Sequence, residues 1–453
     1  MIVVGIILLF FVGLSVLNAI SDKFQLLEKI GLSLLIGMAF YSFVMLPLDL
    51  LGIKITQGSL AVSGILAIIA CNSKHYKLIF SGLKFDIAEI KKYGLHFTWL
   101  LCFGFIVYLF SAIAQKAFYW PTLEYDAVTG YDLMAKAIAN DGKLNNSLFE
   151  YIRSSREYNR ILYPPFVAST FAYGYIFGLK TAKLMTLLHF GAFILVFYAF
   201  LSKYINRTGA IIFTLAMMVT PEFFSHAAMA LTNLPNAVNA GVGLISLYLW
   251  LTNRDKRYFY VSMIMIAINN WTRSDSVVFS IVCAGFLLLD ALKNKTWKEC
   301  IIHPLVTFIP FIAWSNYITK VIHAESSSAY IQKFLFWDGD KISKMAAQIK
   351  IYMFNGTDLF GITFLFLFIL IFINLKKWNQ KANLFLLMGI GAWMLYTLIY
   401  YQMDNVKFDA LDFVMKVSYK RGLFCFVPLA WYYIATNQAM VWVFDKIEDF
   451  LYE

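Results

Sequence analysis

The sequence predicts an all-α membrane protein that crosses a bilayer many times. Of its 453 residues 60% are apolar and only 14% are charged, and the mean hydropathy is +0.67, whereas soluble domains carry about 25% charged residues. Runs such as 2–19 and 385–401 are nearly uncharged, and they reach or approach the roughly 17 to 25 residues that a spanning helix needs. Backbone polar groups inside lipid must be satisfied within the chain, so these runs are predicted to be helices.

The apolar segments predict thirteen spanning helices within one membrane domain over 1–453. They are 1–19, 30–51, 56–71, 95–115, 183–202, 209–222, 236–252, 258–271, 276–292, 303–323, 355–375, 383–401 and 421–441. The apolar stretch 164–179 is short, begins with two prolines and contains two glycines. It is therefore predicted to dip into the membrane without crossing it.

Basic residues predict the orientation, because short loops rich in Lys and Arg stay in the cytoplasm. Such loops follow every second predicted span, with clusters at 74–92, 203–207, 254–257, 293–298 and 376–381. The N-terminus is then outside, the C-terminus is inside, and three long external segments cover 116–182, 324–354 and 402–420. The net charge of +11 is explained by these loops and does not indicate a nucleic-acid partner. The five cysteines have no metal-ligand or redox-motif spacing.

The first external segment places two carboxylates, Glu124 and Asp126, at the membrane surface. Partial desolvation there favours a general base. The stretch 127–139 that follows is apolar at helical spacing and is predicted to lie along the interface. The alternative for Asp126 is a helix N-cap, a position that Asp favours.

Three further groups of polar residues lie where predicted helices meet the external face: 226–236, 271–275 and 418–421. Ionisable groups at membrane depth are costly and often functional. Arg273 and Asp275 could also be a structural ion pair, and Arg421 could anchor a helix end. Together these groups predict a membrane-level pocket for a lipid phosphate, since guanidinium groups bind phosphate oxygens through paired hydrogen bonds.

At these residues the sequence resembles the GT-C class of membrane glycosyltransferases, which includes protein mannosyltransferases and the aminoarabinose transferases of lipid A. The motifs that carry the resemblance are Tyr125-Asp126-Ala127 followed by Tyr131 and Met134-Ala135-Lys136, then Tyr163-Pro164-Pro165, Thr232-Asn233-Leu234-Pro235, Thr272-Arg273-Ser274-Asp275-Ser276, and finally Arg421 with Pro428. The resemblance covers roughly 115–430. Asn233 stands where the family has an acid, and Ser276 stands where it has glycine.

The resemblance implies a GT-C fold and transfer of a hexose-type sugar from a polyprenyl-phosphate donor, such as undecaprenyl phosphate, to a glycan, glycolipid or protein acceptor. Asp126 would be the base of an inverting attack, and Arg273 and Arg421 would bind the donor phosphate. Residues expected to position the substrates are Glu124, Lys136, Tyr163, His226, Asn233 and Asp275. Compact loops and lysine- and isoleucine-rich usage favour a bacterial inner membrane, with the site on the periplasmic face.

Two alternatives from other classes remain open. Many spans with polar groups at membrane depth would also suit a transporter or flippase for lipid-linked sugars, although no repeated halves are evident. A glycan polymerase or ligase would use arginines such as Arg153, Arg156 and Arg160. No cofactor is required by the glycosyltransferase interpretation. Asp338-Gly339-Asp340 could hold a divalent cation, but the same residues are typical of a turn.

Overall fold

Helices make up the regular structure of this chain. The computed structural model describes residues 1–73, 97–152, 161–324, 337–354, 359–374, 381–402 and 415–452, and over these ranges no strand occurs. Eight helices in these ranges are long and apolar enough to cross a membrane. The chain is therefore an all-α polytopic membrane protein.

The helices are numbered in chain order. They are α1 Ile2–Ile20, α2 Leu26–Leu50, α3 Gln57–Asn72, α4 Phe97–Tyr119, α5 Asp132–Asp141, α6 Leu148–Ile152, α7 Phe166–Ile176, α8 Lys183–Leu201, α9 Arg207–Met218, α10 Pro221–His226, α11 Asn233–Asn253, α12 Lys256–Thr272, α13 Val277–Asn294, α14 Trp297–Tyr317, α15 Gly339–Phe354, α16 Thr363–Ile373, α17 Ala382–Gln402, α18 Lys420–Leu423, α19 Val427–Thr436 and α20 Gln438–Tyr452. A π-helical turn, Ala127–Tyr131, leads directly into α5, so the predicted interfacial helix over 127–139 is confirmed as a helix.

The count of thirteen spans is not confirmed. Four of the predicted spans correspond to the shorter helices α3, α9, α12 and α16, which have 16, 12, 17 and 11 residues. The predicted span 421–441 is wrong as a single helix. It is divided because Asn437 has an extended backbone, with φ −67° and ψ 138°, between α19 and α20. Hydropathy identified the apolar segment but not this break.

One end of the helix bundle gathers basic loops, and we call it the basic end. Lys203, just after α8, has its ammonium 2.9 Å from the carboxylate of Glu28 near the start of α2. Arg254, between α11 and α12, donates at 2.7 Å to Asp290 at the end of α13. The loops that follow α1, α8, α11 and α13 therefore share one end, as the predicted alternation requires.

The opposite end gathers the loops that the sequence assigns to the external face, and we call it the site end. The backbone N–H of Ile55, between α2 and α3, donates to the carbonyl of Gly142 at 2.7 Å. The N–H of Glu222 in α10 donates to the carbonyl of Leu359 at 2.8 Å. Which end faces the cytoplasm stays a prediction from the basic residues. Of those residues, the lysines in 74–92, Lys376 and Lys377 lie outside the described residues.

The stretch predicted to dip without crossing forms α7. This helix has 11 residues, about 16 Å at 1.5 Å per residue, which is far short of the roughly 30 Å hydrocarbon core. Residues 166–174 are all buried. The C-terminal carbonyl of α7, on Ile176, accepts a hydrogen bond from Gln57 next to the site end. The length of α7 agrees with the prediction that this stretch does not span.

The pairing of α11 with α12 positions the candidate site. A Cβ atom added to Gly243 would lie 2.6 Å from Cδ1 of Ile266, so glycine lets the two helices pack closely without moving that side chain. Small residues serve this purpose in packed membrane helices. The two helices are antiparallel neighbours joined at the basic end, and the start of α11 therefore lies beside the end of α12. That arrangement brings Asn233 next to Arg273.

Candidate functional site

Asp126 and Arg421 form an ion pair at the site end. Nη1 of Arg421, in α18, donates to Oδ2 of Asp126, although the two residues are 295 positions apart. The Asp126 side chain is 13% exposed and that of Arg421 is 40% exposed. Asp126 precedes the π-helical turn but makes no side-chain capping hydrogen bond. The N-cap alternative is therefore wrong, and Arg421 does more than anchor a helix end.

Arg273 is held from two sides just after the end of α12. Its Nη2 and Nε atoms donate to the two carboxylate oxygens of Asp275 at 2.8 and 2.9 Å, and its Nη1 donates to Oδ1 of Asn233 at 3.1 Å. Burial lowers the pKa of Arg273, but the Asp275 carboxylate outweighs this effect, so the net pKa is raised. The structural pair that the sequence left open is thus formed, and Arg273 stays charged within it.

Asn233 links this pair to a buried histidine. Its Nδ2 atom lies 3.1 Å from Nε2 of His226, and Nδ1 of His226 lies 2.8 Å from the carbonyl oxygen of Glu222 and 3.1 Å from Oε2 of its carboxylate. Because Oδ1 of Asn233 accepts from Arg273, the amide presents its donor to Nε2. A neutral His226 then carries its proton on Nδ1, where Glu222 accepts it.

Tyr131 and Glu222 connect the two ion pairs. Oη of Tyr131 lies 3.5 Å from Oγ1 of Thr232, which lies 3.5 Å from Nη1 of Arg273. The Tyr131 ring also meets the Tyr163 ring edge-on, with centroids 6.1 Å apart. Glu222 interacts electrostatically with Arg421. We call the connected residues the polar cluster: Asp126, Tyr131, Glu222, His226, Thr232, Asn233, Arg273, Asp275 and Arg421.

The Glu222 carboxylate is kept ionised by its surroundings. Burial raises its pKa, but the hydrogen bond from His226 and the positive charges of Lys420 and Arg421 outweigh that effect, so the pKa of Glu222 is lowered. A depressed carboxyl pKa adds stability above the unfolded-state pKa, and this stability is lost as the pH falls through the folded-state pKa.

The Glu222→Gln variant is therefore expected to be less stable than the native protein at neutral pH, with a difference that shrinks as the pH falls below the ordinary range of a glutamate carboxyl. Thermal unfolding in detergent at a series of pH values measures this difference. The matched control is Glu150→Gln, at an exposed carboxylate, for which no such trend is expected. A Glu222→Gln deficit that is constant across the pH range would contradict the electrostatic account.

Three of the predicted substrate residues, Glu124, Lys136 and Tyr163, lie outside the polar cluster, although the ring of Tyr163 contacts Tyr131 within it. Lys136 is exposed, and its ammonium lies 2.7 Å from Asp132 in the same helix. It also lies over the ring of Tyr175, so the structure does not bring Lys136 into contact with the polar cluster, and its role in positioning a substrate stays a prediction. Glu124 lies two residues before Asp126, and its Oε1 is 3.9 Å from the ammonium of Lys183.

The Asp338-Gly339-Asp340 motif caps a helix. Oδ1 of Asp338 accepts from the N–H groups of Asp340 and Lys341 at 2.9 and 3.1 Å, at the start of α15. This is the turn chemistry that the sequence offered as the alternative to a metal site. Among the described residues no group of three His, Cys, Asp or Glu side chains could hold a metal ion.

Sequence reasoning missed several members of the site. Glu222 directly follows a proline at the end of a predicted span. A carboxylate at the end of a membrane span indicates a functional residue. Tyr396 in α17, whose hydroxyl donates to Oδ2 of Asp275 at 3.3 Å, lies in an apolar run that carries no such signal. Arg153, Arg156 and Arg160 lie outside the described residues.

Comparison with known proteins found no match. No family model, no curated protein and no solved structure matches this chain. A function is therefore argued from the residues and geometry of the polar cluster.

Proposed function

We propose that this protein is a GT-C-type glycosyltransferase that moves a hexose-type sugar from a polyprenyl-phosphate donor to an acceptor hydroxyl at the external membrane face. The observation that carries the proposal is the contact between Asp126 and Arg421. A candidate base and a candidate phosphate ligand, far apart in sequence, meet at the site end of the bundle. Arg273 adds a second, more deeply buried guanidinium.

In the proposed reaction, Asp126 takes the proton of the acceptor hydroxyl while the oxygen of that hydroxyl attacks the anomeric carbon of the donor sugar. The bond between that carbon and the phosphate oxygen breaks, and polyprenyl phosphate leaves with the bonding electrons. A single attack inverts the anomeric configuration. Arg421, and Arg273 behind it, stabilise the negative charge that grows on the departing phosphate.

The resting ion pair implies an order of binding. While Oδ2 of Asp126 accepts a hydrogen bond from Arg421, that oxygen is not free to accept the proton of the acceptor hydroxyl. A donor phosphate would compete for Arg421, whose side chain is the more exposed of the pair, and would release Asp126 towards the acceptor. We therefore propose that the donor binds before the acceptor.

An apolar groove next to the polar cluster supports a lipid-linked donor. The groove lies between α16, α17 and α19 and has a volume of about 180 Å³. Phe426 in its wall packs against Tyr396, with ring centroids 6.0 Å apart. Tyr396 in turn contacts Asp275 of the cluster. An isoprenoid chain in this groove would bring its phosphate towards the arginines.

Blocking the groove is expected to weaken donor binding. Gly389 lines the groove, and a Cβ there would meet nothing within 4 Å, so Gly389→Leu fills space without a clash. We expect the KM for the lipid donor to rise about tenfold with little change in kcat, since small steric changes in apolar pockets have effects of that size. Transfer kinetics with varied donor measure this.

Gly391→Leu is the matched control for the groove. Gly391 lies on the same helix, a Cβ there also meets nothing within 4 Å, and it is not among the residues that line the groove. Its KM for the donor should equal that of the native protein. Equal KM values for both leucine variants would remove the groove from the donor site.

The direct test of the function uses purified protein with a panel of radiolabelled donors. Polyprenyl-monophosphate hexoses and their diphosphate counterparts are each incubated with glycan, glycolipid and peptide acceptors. Label that enters an acceptor only from monophosphate donors supports the proposal. Transfer only from diphosphate donors would instead identify a polymerase or ligase.

A transporter or flippase is the second candidate, because polar atoms are buried inside the bundle. Both side-chain amide atoms of Asn269 are buried without a hydrogen-bond partner among the described residues. Such groups need water or a passing ligand to satisfy them. Vectorial movement of a lipid-linked sugar in liposomes, with no transfer to any acceptor, would favour this candidate.

A further inference from the structure

Lys183 is a buried lysine next to the polar cluster. It is the first residue of α8, and it is only 2% exposed. An ammonium is expensive to bury without partners, and a positive charge at a helix N-terminus is unfavourable because the helix dipole is positive there. Lys183 at this position therefore does not stabilise α8.

The ammonium of Lys183 is satisfied by the chain that precedes Asp126. It donates to the carbonyl oxygen of Pro121 at 2.8 Å and to that of Trp120 at 3.3 Å. Oε1 of Glu124 lies 3.9 Å away. The two carbonyls accept two of the three hydrogen bonds that an ammonium can donate, and the Glu124 carboxylate adds an electrostatic attraction.

Among the described residues, the segment 120–124 has few other fixed contacts, apart from the N–H of Trp120, which donates to the carbonyl of Lys116 at 3.1 Å. It is irregular between α4 and the helical turn at Tyr125. The side chains of Trp120 and Leu123 are 62% and 71% exposed, so apolar packing does not anchor them. At its end, the carbonyl of Glu124 accepts from the N–H of Ala127 at 2.9 Å, which starts the π-helical turn and sets the direction of Asp126.

We infer that Lys183 is a positioning residue that holds the segment 120–124 in place and thereby sets Asp126 opposite Arg421. The kinetic consequence rests on the proposed function, whereas the geometric one does not. Loss of the ammonium frees the segment, and Asp126 then samples positions away from the reacting atoms. A misplacement of about 1 Å in a catalytic group can reduce the rate about hundredfold.

The geometric test measures a distance between spin labels on the full chain. Leu123→Cys and Val219→Cys are both at exposed positions, in a background in which the half-buried Cys71, Cys102 and Cys300 are replaced by serine. Lys183→Met is expected to broaden or shift the distance distribution. Lys183→Arg, which keeps the charge and the donors, should leave it narrow.

Lys180→Met is the matched control for the distances, since Lys180 is exposed three residues earlier and its loss should change nothing. Lys183→Gln is a second neutral variant in case Lys183→Met fails to fold. A native-like distribution in a folded neutral variant would overturn the inference. Unfolding of both neutral variants would overturn it too, because Lys183 would then serve stability alone.

The kinetic test compares kcat with KM in the transfer assay. Lys183→Met should lower kcat about tenfold to hundredfold, leave the KM of the donor nearly unchanged, and be rescued by Lys183→Arg. A changed KM with an unchanged kcat would overturn the positioning role. If the native protein transfers no sugar from any donor, the proposed function fails, and the spin-label distances still decide whether Lys183 holds the segment.

Discussion

Replacing Asp126 with asparagine is expected to lower kcat for sugar transfer about 10³-fold. Asparagine has nearly the same shape but cannot accept the proton of the acceptor hydroxyl, and a positioned general base contributes about 10² to 10⁴ in rate. The KM for the donor should change little, because the donor phosphate is assigned to the arginines. Initial rates with a saturating polyprenyl-monophosphate donor measure the effect.

Two controls separate this effect from damage to the fold. The Tm of Asp126→Asn should stay close to that of the native protein, since its partner Arg421 is 40% exposed and water can solvate the freed guanidinium. Asp340→Asn changes an exposed carboxylate in the first turn of α15 and should transfer at the native rate. Equal transfer by Asp126→Asn and the native protein would remove Asp126 as the base.

Arg421→Gln is expected to reduce kcat about 10² to 10³-fold. Removal of one donor aimed at developing charge typically has an effect of this size. Arg421→Lys should recover only part of the loss, because lysine keeps the charge but lacks the planar fork that binds two phosphate oxygens. Transfer rates of both variants, together with binding of polyprenyl phosphate itself, measure the loss.

The neighbouring Lys420 provides the matched control for Arg421. The charge of Lys420 acts on Glu222, whereas Arg421 contacts Asp126 directly. Lys420→Gln should therefore affect transfer much less than Arg421→Gln. The double variant Asp126→Asn/Arg421→Gln should be about as slow as the slower single variant, because residues that act as a unit are not additive. A native transfer rate in Arg421→Gln would contradict the role of Arg421. A loss in the double variant equal to the product of the two single losses would contradict the inference that Asp126 and Arg421 act as a unit.

Local signals predicted the parts of this protein that local physics determines. Apolar length identified the eight long spans, because lipid requires uninterrupted apolar helices. Two prolines and two glycines marked α7 as a short, separate helix. The alternation of loops placed Asp126, Arg273 and Arg421 on one face before any contact was known, and all three belong to the polar cluster.

Pairings across the sequence could not be predicted in the same way. The partner of Asp126 lies 295 residues away, and no periodicity relates the two positions. The contacts of Lys136 with Asp132 and Tyr175 could not be predicted either, because they depend on how α5 packs against α7. Glu222 and Lys183 lie at the ends of predicted apolar spans, although each carries a charge where burial makes charge costly. A rule that examines every charged residue at a span end would have found both.

The most direct measurement is a cryo-electron microscopy structure of the protein in lipid nanodiscs with a polyprenyl-monophosphate bound. The account predicts the phosphate within hydrogen-bonding distance of the Arg421 guanidinium, the isoprenoid chain in the groove between α16 and α17, and Asp126 released from Arg421. Arg421 still paired with Asp126, with the lipid bound elsewhere, would contradict it.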